Sequence, residues 1–247
     1  MYFKTTGIVL ATTFILALTC QAADVAYTGS GADDDWTTSD NWQGNTPPAD
    51  SSTGAAFWND GTHVIITPGT DITCNGFMLG MYGSSNSAVI AGGTIACNWL
   101  DIGRSNQNGG NGTLTISSGS ATVSGTLSIP NQFSSNTDPA KIGQGQLYLT
   151  GGSISANSIQ IGNGQNGAGG GIGSISITGG SLIINGDVRV QLQNYIDAEY
   201  ITTAALQSFE LDYNISNSGK TTLKSTGVFD GVVSSPYPAE GSIECAV

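Results

Sequence analysis

Short runs in which apolar and polar residues alternate recur along the chain, each ending in a glycine-centred turn. The turns are Gly92-Gly93-Thr94, Ser118-Gly119-Ser120, Gly151-Gly152-Ser153 and Gly179-Gly180-Ser181, with Pro68-Gly69-Thr70 as a weaker copy, and their reference glycines lie 24, 26, 33 and 28 residues apart. Before each turn the alternation turns inward Val64, Ala88, Leu114, Leu147 and Ile175, and two residues later Ile66, Ile90, Ile116, Leu149 and Ile177. A second short strand after the turn supplies Ile72, Ile95, Ala121, Ile154 and Leu182, then Cys74, Cys97, Val123, Ala156 and Ile184. Past a corner, a third strand supplies Phe77, Leu100, Leu127, Ile159 and Val188, then Leu79, Ile102, Ile129, Ile161 and Val190. All of these positions are apolar in a chain that is 38% apolar, and the residues between them are mostly polar.

A period of two buries one face of each strand. Three short strands per repeat cannot close a core alone, so the repeats must stack, like strand on like strand, about 4.8 Å apart. The expected fold is all-β: a single-stranded parallel β-helix, or β-solenoid, of about five rungs over residues 62–190. An N-terminal cap over 23–61, rich in Trp36, Trp42, Phe57 and Trp58, and a C-terminal cap over 191–235 with a short helix from Asp197 to Gln207 complete it, followed by a tail over 236–247. At the corners, Asn75, Asn98, Asn157 and Asn185 form a column whose side chains can hydrogen-bond as a ladder, a structural role.

From the reference glycine to the end of the third strand takes 9 or 10 residues in every repeat, so the variation in period lies in the next connection. Those connections, Gly80 to Ser87, Gly103 to Thr113, Pro130 to Gln146 and Gly162 to Ser174, project from one edge. Insertions clustered on one edge of a repeat protein often mark its binding face, though passive spacers are the competing explanation.

Composition narrows the partners. Eighteen acidic side chains against six basic ones give a net charge of −12, which argues against phosphate-backbone binding and hence nucleic acid. Residues 1–22 carry Lys4, an apolar run from Ile8 to Leu18 broken by Thr12 and Thr13, then Cys20 and Ala22. They read as a secretory signal peptide cleaved after Ala22, the run being short of the roughly 20 residues that span a bilayer. A secreted or cell-surface protein with no transmembrane span after cleavage is expected. It would keep Cys74, Cys97 and Cys245, an odd number in an oxidising compartment, so at least one thiol is free or intermolecular. Cys74 and Cys97 share an interior column and are either a bridge between neighbouring rungs or two small buried hydrophobes.

The segment Gly112-Thr113-Leu114-Thr115-Ile116-Ser117-Ser118-Gly119-Ser120, strand ends such as Leu100 to Gly103, and the opening Trp36, Asn41-Trp42, Pro48, Asp50, Phe57 resemble the secreted bacterial parallel β-helix family related to autotransporter passenger domains and their associated β-strand repeats. The resemblance spans roughly residues 34–190 and implies surface display, adhesion or polysaccharide contact. It does not extend to a membrane-barrel segment, so self-translocation is not among its implications.

Pectin-lyase-like enzymes share the β-helix and place acidic clusters with a basic residue on one outer strand face. Here the outward column of the third strand reads Met78, Asp101, Ser128, Gln160, Arg189, which sets Asp101 three rungs, about 14 Å, from Arg189. Glycoside hydrolysis needs two carboxyl groups about 5 to 9.5 Å apart, and no convincing pair is visible. His63, beside the expected cap, lacks an accompanying Ser or Cys motif. No catalytic residue and no cofactor are assigned. Asp33, Asp34 and Asp35 are weak calcium candidates in a spacing that matches no EF-hand loop. The favoured expectation is a non-catalytic structural, adhesive or glycan-contacting module that meets extracellular polysaccharide or cell-surface components through Tyr82, Trp99, Arg104, Asn106, Gln107 and Phe133. The alternative is a polysaccharide lyase or glycoside hydrolase using Asp101, Asp138 and Asp187. A third possibility is one module of a larger assembly joined through Cys245.

Overall fold

The computed structural model describes residues 24–104, 108–131, 141–162 and 171–227. The leader, Asn106, Gln107, Phe133, Asp138, Cys245 and the tail lie outside them. The chain forms a parallel β-solenoid of about six turns. Its strands are β1 (Val25–Ala26), β2 (Ala55–Ala56), β3 (His63–Ile66), β4 (Asp71–Leu79), β5 (Ser85–Ile102), β6 (Asn111–Ile129), β7 (Gln144–Ile161) and β8 (Ile172–Asn185), followed by helix α1 (Arg189–Asp197), β9 (Ile201–Thr202), β10 (Ser208–Tyr213) and β11 (Lys220–Thr226). In β5, β6 and β7 the three short strands of a repeat join into one ladder that bends through the turn and the corner. The turns fall at Gly92, Gly119, Gly152 and Gly180, whose backbones are left-handed, at φ 125°, 79°, 62° and 72°, a conformation that costs glycine least.

Register is the decisive observation. Val64 pairs with Ala88, Ala88 with Leu114, Leu114 with Leu147 and Leu147 with Ile175. The second strands stack Ile72, Ile95, Ala121, Ile154 and Leu182 in the same way. All of these side chains are buried in one continuous core. Between rungs the corner asparagines bond to their neighbours: Asn98 Nδ2 donates to Asn75 Oδ1 at 2.9 Å, Ser124 Oγ to Asn98 Oδ1 at 2.9 Å, and Asn185 Nδ2 to Asn157 Oδ1 at 3.1 Å.

The stack has one turn more than the repeat pattern predicts, because residues expected to lie outside the repeats contribute strands to it. Ala55 and Ala56 pair in parallel with Phe77 and Met78, and Val25 and Ala26 pair in turn with Ala55 and Ala56. Two-residue strands are too short to show alternation. Around them Trp36, Trp42, Tyr27 and Phe57 pack onto Phe77, the Trp36 and Trp42 rings 4.4 Å apart and Phe57 5.1 Å from Phe77. The Trp42 indole donates to Trp36 O at 2.8 Å. Burial, then the nearby Asp34, Asp33 and Asp35 charges, hold the Tyr27 phenol protonated well above its ordinary range.

At the other end two expectations fail. The helix covers Arg189–Asp197, not Asp197 to Gln207, and the fifth repeat has no third strand over Val188 and Val190. Val190 is 76% exposed. Val188, Leu192, Tyr195 and Ile196 pack against the core instead, a spacing of four, seven and eight residues that suits one helical face. β11 then pairs antiparallel with β8, and β10 with β11.

Leu147, sandwiched between Leu114 and Ile175, should lose about 2–5 kcal/mol on truncation to alanine, whereas exposed Thr122→Ala should stay within about 0.5 kcal/mol. Urea denaturation followed by circular dichroism checks both, and a midpoint shift of similar size for the two variants would contradict the register.

Candidate functional site

The first members of the outward column of the third strand are not at the surface. Ala56, Met78, Asp101 and Ser128 stack in register, and all four are buried. Met78 is packed against Met81 and Asp101 meets Arg104, two residues that follow third strands, and the chain at these points stays bonded to the preceding rung. Met81 N donates to Phe57 O at 3.1 Å, and Gly103 N and Arg104 N both donate to Leu79 O at 2.9 Å. In the first of these connections the buried Asn86 acts as a peg: its Oδ1 accepts from Gly80 N at 3.0 Å and Ser84 Oγ at 2.8 Å, while its Nδ2 donates to Asn59 O and Thr62 Oγ1. Ala56, Met78 and Met81 thus form a small second core, flanked by Trp58 and Trp99. One rung further on, the same layer turns polar, with Asp101 and Ser128 in place of Ala56 and Met78.

There the layer opens into a cleft of about 370 Å³ lined by Asn98, Trp99, Asp101, Arg104, Gly125, Thr126, Ser128 and Asn131. Trp99 is paired in register with Gly76, and its ring lies where a Cβ on residue 76 would stand; the glycine is what lets the indole lean over the neighbouring rung. Arg104 places its guanidinium carbon 4.8 Å from the centroid of that indole. Its Nη1 stands 3.3 Å from Asp101 Oδ2. One arginine therefore touches both the aromatic wall and the carboxylate.

Asp101 is 1% exposed. Burial pushes its carboxyl up to about 6, against the opposing pull of the Arg104 charge and of hydrogen bonds donated by Asn131 and Ser128. Desolvation wins because the carboxylate loses its water on every side while the guanidinium meets it on one. Two acceptors stay short of donors. Among the described residues neither Asp101 Oδ2, which has the Arg104 ion pair, nor the buried Asn131 Oδ1 receives a hydrogen bond.

The column reading that set Asp101 three rungs from Arg189, with no cation nearer in the column, is corrected here. Arg104, three residues along the chain, meets it through the returning loop. Arg189 is not on a strand at all: it sits at the start of α1 and grips exposed Asp187 with two hydrogen bonds of 2.9 Å. Of the residues expected to contact a ligand, Trp99 and Arg104 line the cleft. Tyr82 stands on the preceding connection, 54% exposed, its ring 6.2 Å from Trp58.

The carboxylates of the Asp33–Asp35 run serve their own turns. Asp33 Oδ1 accepts from Asp35 N and Thr38 Oγ1, and Asp35 accepts from Thr37 and Thr67, which holds its carboxyl below the usual range. Among the described residues no three His, Cys, Asp or Glu side chains gather as metal ligands do. His63 Nδ1 lies 2.7 Å from Ser87 Oγ. Cys74 and Cys97 are register partners and free, both buried; the hydrogen bond with Cys74, then burial, raises the Cys97 thiol far above its ordinary range, the mark of an inert thiol.

Sequence reasoning missed Asn131, Ser128 and Thr126 as cleft residues. A usable signal existed in Asp101 and Arg104 at a spacing of three, and in a glycine at the corner position where the next rung carries tryptophan. No family model matches the chain, and no curated protein or solved structure matches it either. Among the described residues no helix is long and apolar enough to cross a membrane.

Asp101 makes a signed prediction. Its carboxyl binds a proton more tightly in the folded chain, at about 6, than in the unfolded one, near 3.9. Its contribution to stability is therefore complete below pH 4 and falls as pH rises to 6, by up to about 3 kcal/mol. Asp187 and Asp212, whose carboxyls hydrogen bonds hold low, act in the opposite direction at lower pH. Subtracting melting curves of Asp101→Asn from those of the parent between pH 4 and 7 isolates the effect; parallel curves would refute it.

Proposed function

We propose that the protein is a secreted, non-catalytic β-solenoid of the autotransporter-passenger-like kind that contacts neutral extracellular glycans through its loop edge. The observation that carries this reading is the cleft: one indole wall, two amides, two hydroxyls and an internally neutralised Asp101–Arg104 pair, within a volume that takes about one to two sugar rings. Sugars are bound by apolar contact of ring C–H groups with an aromatic face and by hydroxyls that both donate and accept. The cleft supplies both kinds of partner. Polyanionic polysaccharides fit less well, since a net charge of −12 repels them and Arg104 is already engaged by Asp101. The leader-like residues 1–22 support export.

One observation favours the enzymatic alternative, a lyase or hydrolase. Asp101 is a buried carboxyl titrating near 6 beside a cation in a cleft, the kind of group that acid–base catalysis uses. Against it, Asp101 is the sole carboxylate among the described residues that line the cleft, and hydrolysis of a glycosidic bond with either stereochemistry calls for two. A lyase base has the further task of holding an anionic uronate, and the cation among the described cleft residues, Arg104, is engaged by Asp101.

An array of immobilised neutral polysaccharides is expected to retain the protein, and Trp99→Ala to weaken retention at least tenfold while leaving the far-ultraviolet spectrum unchanged. Incubation with the same polysaccharides should release no soluble sugar and no unsaturated product. Release that disappears in Asp101→Asn would replace the binding reading with the enzymatic one.

A further inference from the structure

Away from the cleft, two buried cysteines form a pair. Cys74 and Cys97 are register partners on β4 and β5, both turned into the core and both reduced in this structure. Partnered residues of neighbouring parallel strands lie about 4.8 Å apart, inside the roughly 4.4–6.8 Å over which two cysteine α-carbons can be bridged. Their side chains leave the sheet on the same face, and the two thiols are hydrogen-bonded to each other. The column continues with Val123 and Ala156, so packing at this position does not itself require sulfur. The place of the pair along the stack is also particular. Among the described strands, residues 71–74 of β4 have a ladder on one side only, with β5; on the other side β2 meets β4 no earlier than Phe77. There the edge is met by the turn at residues 50–53, where Asn75 N donates to Thr53 O at 2.8 Å. An end strand held by one ladder is where a stack of rungs opens first, because each rung depends on its neighbours.

We infer that Cys74 and Cys97 are the site of a disulfide that is installed as the chain folds in an oxidising environment and that staples the edge strand β4 to β5. The step is a thiol–disulfide exchange with a small-molecule or protein disulfide as co-reactant. One cysteine, as its thiolate, attacks a sulfur of that disulfide and displaces one of its thiols. The other cysteine then attacks the mixed disulfide and displaces the second thiol. One S–S bond forms in the chain and one breaks in the co-reactant, whose two departing sulfurs take up the two protons and the two electrons that the cysteines lose. Burial sets the timing. In the unfolded chain both thiols reach solvent and ionise normally, whereas in the folded chain they are enclosed and Cys97 gives up its proton only far above the ordinary range, which suppresses exchange. The same enclosure shields the finished bond from reductants. Closing the bridge draws the two Cβ atoms toward about 3.8 Å, a movement open to a strand segment with one ladder. The bond also constrains the unfolded chain, by closing the loop between the two cysteines.

The test uses the full chain carrying Cys20→Ser and Cys245→Ser, which keeps Cys74 and Cys97 as its two thiols. It is unfolded in guanidinium and refolded either with a mixture of oxidised and reduced glutathione or with a phosphine reductant, and thiols are then counted by alkylation in denaturant and mass spectrometry. Refolding with glutathione is expected to give a chain lighter by two hydrogens that takes up no alkylating reagent, and proteolysis to yield the peptides of Cys74 and Cys97 joined. That product should melt about 5–10 °C above the reduced one. Reduced protein that has already folded, offered the same glutathione mixture, should form the bond at least tenfold more slowly. Two alkylatable thiols after oxidative refolding, or glutathione held on both cysteines, overturn the bond. A bonded chain that melts no higher than the reduced one overturns the staple, and equal rates from folded and unfolded chains overturn the order of events. Should the serine variant fail to fold, the joined peptides are sought in the unaltered chain after oxidative refolding, and their absence overturns the bond. None of these outcomes bears on retention by the polysaccharide array, so the glycan reading and the staple stand or fall separately.

Discussion

In-register stacking of inward-facing aliphatic side chains is the constraint on which everything else in this molecule depends. Each rung leaves one face of its strands without a partner, and only the rung above and the rung below can cover it. Because side chains alternate with period two, a slip of one residue would turn a whole row of Ile, Leu and Val outward. The register is therefore held at every level by many weak contacts acting together. It also frees the connections between rungs. As long as Leu147 lands on Leu114 and Ile175 on Leu147, the chain between one third strand and the next first strand can take almost any length.

That freedom has been used in a particular way. Where the connections are described they do not simply project; Met81 and Arg104 lie against the outer face of the third strand. The outward column becomes a second interior, apolar where Ala56 and Met78 meet Met81 and polar where Asp101 meets Ser128 and Asn131. A solenoid with one core per rung would have offered a flat outer sheet there. Two layers of packing produce a recess instead, and the recess sits where the returning loop carries Arg104 back to Asp101.

How much of this was legible follows from the same physics. Interior columns were legible because strict alternation at a repeated spacing has few other meanings, and the observed pairings of Ile72 with Ile95 or Val123 with Ala156 follow it directly. The ends were less so. Val188-Arg189-Val190 alternates like a strand, yet Val188, Leu192 and Ile196 are also spaced like one face of a helix, and the helix is what forms. Packing favoured the helix, which turns Val188, Leu192 and Ile196 together onto the core. The burial of Asp101 could not be read from its column, since alternation marks which way a side chain points from its own strand and says nothing of a loop that later lies on top of it. Trp99 and Arg104 were recognisable as chemistry-bearing residues, but their meeting with Asn131 depends on two different connections and leaves no local pattern.

Local rules and global structure agree along nearly all of the chain: glycines at left-handed turns, asparagines bonded to asparagines at the corners, aliphatic residues inside. The cleft is where they disagree. A carboxylate is buried at the cost of a raised proton affinity, a glycine is kept in a strand so that an indole can lie across it, and, among the described residues, an amide oxygen is left without a donor. Chains that are consistent elsewhere tend to break such rules at sites that do something. A solenoid tolerates the breach well, because its stability is a sum over rungs and their interfaces, and the unbroken columns of the neighbouring rungs hold the strands that carry Asp101 and Ser128 in place. The frame that the stacked aliphatics build is thus what allows a locally unfavourable arrangement, a buried carboxylate met by Arg104, to persist beside a recess in the surface.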